Sequence, residues 1–273
     1  MNMVISLSKQ YSLLIFCILT IALTFAATLL PMPAELTPVV VVFIPAFMAI
    51  SLTALSEGKV GVWSLLGKLS QWRVKLRWLV IALVLAFVMR LTISLIALGL
   101  GMIPAIHLRP GSPAQFVILA LILFVFALPE ELGWRGYALS KLLEQHSPFA
   151  SGLIVGILWG LLHLALHLPG MIYAGLPLLP TLLQLIGLSV LITWLYVQTS
   201  GNILLTSLFH AAQSFFVVLN EGIPGTQLVW FMAGVYITLA LVFVLATGSS
   251  FRRKPMVAAL PFVETPRTGT LVA

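Results

Sequence analysis

Long apolar runs broken by short polar segments set the pattern of this chain. Eight runs, near residues 11–30, 37–55, 78–101, 114–140, 150–169, 178–199, 202–220 and 226–247, each hold about 20 mainly apolar residues, the length that crosses a bilayer as one helix. The pattern predicts an all-α, polytopic membrane protein with about eight transmembrane helices around a core helical bundle. It divides the chain into an integral membrane domain, 1–247, and a polar cytoplasmic tail, 248–273. Between the second and third runs, EGKVGVWSLLGKLSQWRVKLR (57–77) mixes basic residues with Trp63, Trp72 and leucines. That segment reads either as an amphipathic helix lying on the membrane surface or as an ordinary basic loop.

Composition excludes a soluble fold. Apolar types make up 61% of the 273 residues and charged types 8%, against about 25% charged in a soluble domain. One cysteine, Cys17, rules out an intrachain disulfide framework and a cysteine metal cluster. The net charge of +7 points less to nucleic acid than to topology, because most basic residues flank apolar runs. With eight spans, one side carries Lys9, Lys59, Lys68, Arg73, Lys75, Arg77, Lys141, Arg252, Arg253, Lys254 and Arg267, and the other only Arg109. The bias places both termini in the cytoplasm, with the protein in a plasma membrane such as the bacterial inner membrane.

Ionisable residues within the spans are few: Arg90, Glu130, Glu131, Arg135, His163, His167 and His210. Such groups are costly in hydrocarbon and usually face the protein interior or a water-filled cavity. In FALPEELGWRGYALS (126–140), Glu131 and Arg135 stand four apart and share a helix face, while Glu130 is rotated by about 100°. Pro129 lacks the N–H that would bond the carbonyl of Val125, which predicts a local opening of the helix. Gly133 and Gly136 permit close approach of a neighbouring helix. A purely structural alternative pairs Glu131 with Arg135 and Glu130 with Arg90.

In ILWGLLHLALHLPG (157–170), Trp159, His163 and His167 follow one another at four-residue spacing on one face. In GNILLTSLFHAAQSFF (201–216), Asn202 is placed to cap the helix, His210 lies near mid-span, and Gln213 and Ser214 follow within a turn. At about 1.5 Å per residue, Glu130, His163 and His210 lie roughly 15, 20 and 12 Å from the cytoplasmic ends of their helices. They can therefore meet in one cavity opening to the cytoplasm.

A carboxylate and two histidines from three helices suit hydrolysis. The Glu can activate water as a general base, and the histidines can stabilise an oxyanion, move protons or bind one divalent metal such as Zn. If a metal is present, His163 and His210 are the preferred ligands, with Glu130 left free to act on water.

EExxxR at 130–135, Trp159-xxx-His163 and the later span with His210 together resemble the CPBP family, the CAAX prenyl proteases and bacteriocin-processing (Abi) enzymes. RVKLRWLV at 73–80 also looks like these proteins, and the resemblance covers about 70–220. It implies a glutamate-dependent intramembrane endopeptidase acting on a peptide or protein at the membrane, with lipidated substrates among the candidates. Glu130 would be the water-activating base, supported by Glu131 and Arg135, with His163 and His210 catalytic or metal-coordinating. The chain departs from the family at two supporting positions. Ser214 stands where Asn or Asp is usual, and Trp159 where Phe is common. Two other classes stay open: a non-catalytic membrane partner such as a bacteriocin-immunity protein, which Ser214 motivates, and a proton- or ion-coupled transporter, since buried Glu, Arg and His also mark transport paths.

Overall fold

The computed structural model describes residues 11–31, 33 and 36–253. Most of the expected tail, along with Lys9, Lys254 and Arg267, lies outside the described residues. Eight main helices follow the eight apolar runs: α1 Ser12–Thr28, α2 Leu36–Gly67, α3 Leu76–Gly99, α4 Pro113–Glu131, α5 Pro148–His163, α6 Leu178–Gln198, α7 Ile203–Phe215 and α8 Gly225–Thr247. A final turn, α9, covers Ser249–Arg252, and there is no strand among the described residues. By length and composition, seven helical segments can cross a membrane, and α1 is a shorter apolar helix of 17 residues. The protein is a polytopic all-α membrane protein.

Residues of one sign of polarity surround most of these helices, so packing is decided by shape more than by an apolar stripe. Gly156 of α5 meets the backbone of Ile186, and Gly187 of α6 meets the backbone of Tyr236 in α8. Ser189 adds an interhelical hydrogen bond to the carbonyl of Gly152, 2.9 Å. The lipid-facing side is apolar too: Val117, Ile118, Leu121, Ile122 and Val125 of α4 are all exposed at helical spacing.

Over 57–77 the basic segment is neither one continuous helix nor a plain loop. Gly58 has φ +69°, a left-handed conformation that breaks α2 into two arms. Only the short second arm is helical; it ends in a tight turn at Lys68–Ser70, and residues 71–75 are irregular before α3 begins. Trp63 and Trp72 are exposed while Leu65 is buried, as suits a segment resting at an interface. The Lys68 ammonium donates to the carbonyl of Gly136 at 2.7 Å. This bond ties the basic segment between α2 and α3 to the continuation of α4.

That continuation is where α4 opens. The helix runs through Pro129 without a break and then widens to π geometry over Leu132–Leu139 before a last α turn, Ser140–Leu143. The opening therefore comes after the carboxylates rather than at the proline. Gly133 sits against the Pro45 backbone of α2, where any Cβ would overlap. Gly136 meets side chains rather than backbone, those of Leu132, Leu65 and Ile203. Wide turns of this kind recur at functional sites in helices.

Candidate functional site

The two adjacent glutamates have different partners. Glu131 is fully buried, and its Oε1 accepts from the Arg135 guanidinium at 2.8 Å and from Nδ1 of His210 at 3.0 Å. Glu130 is half-buried, and its Oε2 accepts from the indole N–H of Trp159 at 2.9 Å. The alternative pairing of Glu130 with Arg90 is not what the structure contains. Arg90 instead donates to the carbonyl of Gln213 at 2.8 Å and to Oδ1 of Asn220 at 3.3 Å, against the ring of Tyr236. Gln213 is drawn into the same group, accepting from the Tyr236 hydroxyl at 2.7 Å. These bonds secure the last turn of α7, whose free carbonyls favour a nearby cation.

Trp159 joins the helices. Besides its bond to Glu130, its ring stands edge-on to His163 (centroids 5.6 Å) and His210 (5.2 Å) and lies under the Arg135 guanidinium at 4.8 Å. His163 is buried, with Nδ1 2.8 Å from the carbonyl of Trp159. The Asn202 cap forms as expected: its side chain accepts from the Leu205 N–H at 2.8 Å, and its amide also donates to the carbonyl of Gln71 at 2.6 Å. That cap sets the register of α7 and so the height of His210.

Glu130 and His163 line one cavity of about 100 Å³ with Pro38, Val41, Val42, Pro45, Leu162, Leu166, Ile172 and Tyr173. It is large enough for several waters. His210 does not line it; its ring lies behind Trp159, held by Glu131. Ser214 does not line it either. The cavity lies toward the first turns of α2 and the α5–α6 connection, the end of the bundle opposite Lys68 and Lys141. Its lining comes from that end rather than from the basic loops. One reason is that a helical side chain leans toward its own N-terminus, which for Glu130 points away from the basic loops.

His163 and His210 each hold Nδ1 against an oxygen and make no hydrogen bond through Nε2 among the described residues, the pattern of metal-ligating histidines. Even so, no three His, Cys, Asp or Glu side chains are grouped to hold an ion among the described residues. The residues present do not form a metal-ligand set, and no step below passes through one. His167 turns its Nδ1 back to the carbonyl of His163, 3.1 Å away, and packs on Tyr173.

Tyr173 is the residue that sequence reasoning missed. Its ring stacks on His163 with centroids 5.9 Å apart and planes at 15°. The available signal was the Pro169–Gly170 and Gly175 punctuation around it, which marks a folded turn rather than a helix end. Gly170 and Gly175 adopt φ +84° and +80°, and the Tyr173 N–H bonds the carbonyl of Leu166 at 2.9 Å.

Residues 112–216 match the model of a family described as type II CAAX prenyl endopeptidase, Rce1-like. A CAAX prenyl protease 2 of Methanococcus maripaludis is 31% identical over 117 residues, covering 39% of this chain and 41% of that protein. The matched part thus spans less than half of that relative. The family match takes in α4 to α7, and with them Glu130, Glu131, Arg135, Trp159, His163, Tyr173, His210 and Ser214.

Proposed function

We propose that this membrane protein, whose α4–α7 core is similar to the Rce1-like CAAX endopeptidases, is an intramembrane endopeptidase that hydrolyses a peptide bond with water activated by Glu130. The observation that carries this reading is the pairing of Glu130 with His163 on one small cavity, while Oε1 of Glu131 is held by Arg135 and His210. One carboxylate is committed to structure, and its neighbour faces space for water and substrate.

Water in the cavity gives a proton to Glu130 as its oxygen bonds the substrate carbonyl carbon and the carbonyl π pair moves onto its oxygen. Collapse of this intermediate restores the C=O bond and breaks the C–N bond. The proton held by Glu130 passes to the leaving nitrogen, giving a carboxylic acid and an amine. His163 presents Nε2 to the same water and orients it. His210 acts through Glu131 and Trp159, holding the helix positions rather than touching the cavity.

The substrate class is a peptide or protein at the membrane, and a lipidated C-terminal segment is the candidate suggested by the relatives. The positive-inside count supports a cytoplasmic location for both termini and a plasma or bacterial inner membrane setting. Purified protein incubated with quenched peptides, prenylated and unprenylated, tests the activity by mass spectrometry of the products. Discrete cleavage near the C-terminus is expected, and no product from any peptide overturns the reading. Dialysis against a chelator before the same assay tests the divalent-metal expectation, since turnover that survives it belongs to the chain's own residues.

Trp159→Phe keeps the ring against both histidines but removes the donor to Glu130. A hydrogen bond to a charged group contributes about 1.5–3 kcal/mol. A fall in kcat of about 10- to 100-fold is therefore expected, with KM little changed, in a steady-state assay of the same peptides. Unaltered kcat would mean that the indole N–H does not position Glu130.

A further inference from the structure

Three of the residues lining the cavity are polar: Glu130, His163 and Tyr173. Their hydrogen bonds determine what each can offer a reacting carbonyl. The Glu130 carboxylate only accepts. Nδ1 of His163 faces a carbonyl oxygen, which cannot donate, so the proton of the neutral ring sits on Nδ1 and Nε2 presents a lone pair. His210 is held the same way by the carboxylate of Glu131. Hydrolysis through a tetrahedral intermediate needs the opposite, a donor aimed at the developing oxyanion.

Tyr173 is the O–H donor on that wall. Its hydroxyl is not sealed among buried polar atoms and makes no hydrogen bond to the protein among the described residues. The ring is fixed from both faces of the turn, by stacking on His163 and by contact with His167. Burial, and next the carboxylate of Glu130, push its phenol above the ordinary tyrosine range, with the Arg90 charge opposing. The group therefore stays protonated, and a donor, at neutral pH. On α7, Ser214 lies off the cavity.

We propose that Tyr173 donates a hydrogen bond to the oxyanion formed as water adds to the substrate carbonyl, a task that Ser214 is not placed to perform. The inference rests on the hydrolase reading above. No proton is transferred: the phenolic O–H stays with Tyr173 while the negative charge develops on the former carbonyl oxygen and returns to the C=O bond on collapse.

Tyr173→Phe keeps the stacked ring and removes only the hydroxyl. With melting temperature unchanged, kcat is expected to fall about 10²-fold, the cost of losing one such donor, with KM little altered. Inhibition by a peptide phosphinate, a tetrahedral mimic, should weaken by the same factor as kcat/KM, while binding of an uncleavable ground-state peptide stays constant. A merely structural tyrosine would move both affinities together, and that result overturns the proposal. Equal turnover of wild type and Tyr173→Phe overturns it as well, as does a larger loss from Ser214→Ala than from Tyr173→Phe. A wild type that cleaves no peptide overturns the hydrolase reading itself, whereas a cleaving wild type with an equally active Tyr173→Phe overturns this inference alone.

Discussion

Replacing Glu130 with Gln is expected to reduce kcat by about 10²–10⁴, the range spanned by loss of a general base, while leaving the protein folded. The substitution keeps shape and leaves a side-chain oxygen to accept from the Trp159 indole, so the contact at 2.9 Å survives. It removes only the capacity to take a proton from water. Glu130 is half-buried on a cavity and has no ion pair among the described residues, so its neutralisation strands no buried countercharge. Peptide cleavage kinetics and thermal unfolding, measured on the same detergent preparation, check both halves. A Glu130→Gln protein as active as wild type would remove this carboxylate from the mechanism, whatever its stability.

Glu131→Gln should behave in the reverse sense and destabilise the fold. Glu131 and Arg135 are both fully buried and 2.8 Å apart. Removing one charge leaves the other uncompensated in a low-dielectric interior, a change that costs about 3–5 kcal/mol where buried pairs have been broken. The Trp159 face under Arg135 offsets part of that, since a desolvated cation–π contact contributes about 2 kcal/mol. The Gln oxygen still accepts from His210, but as a neutral and weaker partner than the carboxylate, so α7 loosens against α4. Chemical denaturation in mixed micelles should show the loss directly. Stability equal to wild type would mean that the pair is not an anchor, and activity lost without any loss of stability would move Glu131 into the chemistry.

The contrast between these neighbours shows how far the chain could be read in advance. Four-residue spacing on a helix made Glu131–Arg135 an ion pair, and the structure has it. The rotation between adjacent residues separated Glu130 from that pair, and it is separate. The Asn202 cap and the eight helices were equally local, because capping and span length depend on residues close in sequence. The pairing of Glu130 with Trp159, by contrast, joins residues 29 apart on different helices. No periodicity specifies it. The family preference for Phe at that position gives no hint of an indole N–H, and the competing partner, Arg90, was electrostatically reasonable until α7 and α8 supplied it with neutral acceptors and an aromatic face.

Depth along each helix predicted that Glu130, His163 and His210 would meet, and they do share one neighbourhood. The rise per residue measures height but not the direction in which a side chain leaves its helix. Glu130 and His163 therefore turn to the cavity, while His210 turns to Glu131. The same limit hid Tyr173, which sits in a turn whose glycine-set backbone folds it back under α5.

By itself, the sequence determined that this is an all-α membrane protein, how many apolar helices it has, and which few ionisable groups lie at depth, because hydrocarbon thickness and backbone satisfaction act on local stretches. Only the tertiary structure decided which carboxylate faces the cavity, which histidine stands behind it and which hydroxyl closes its wall. Those outcomes depend on helix rotation and on close backbone approach at positions such as Gly133, and packing between distant segments sets both.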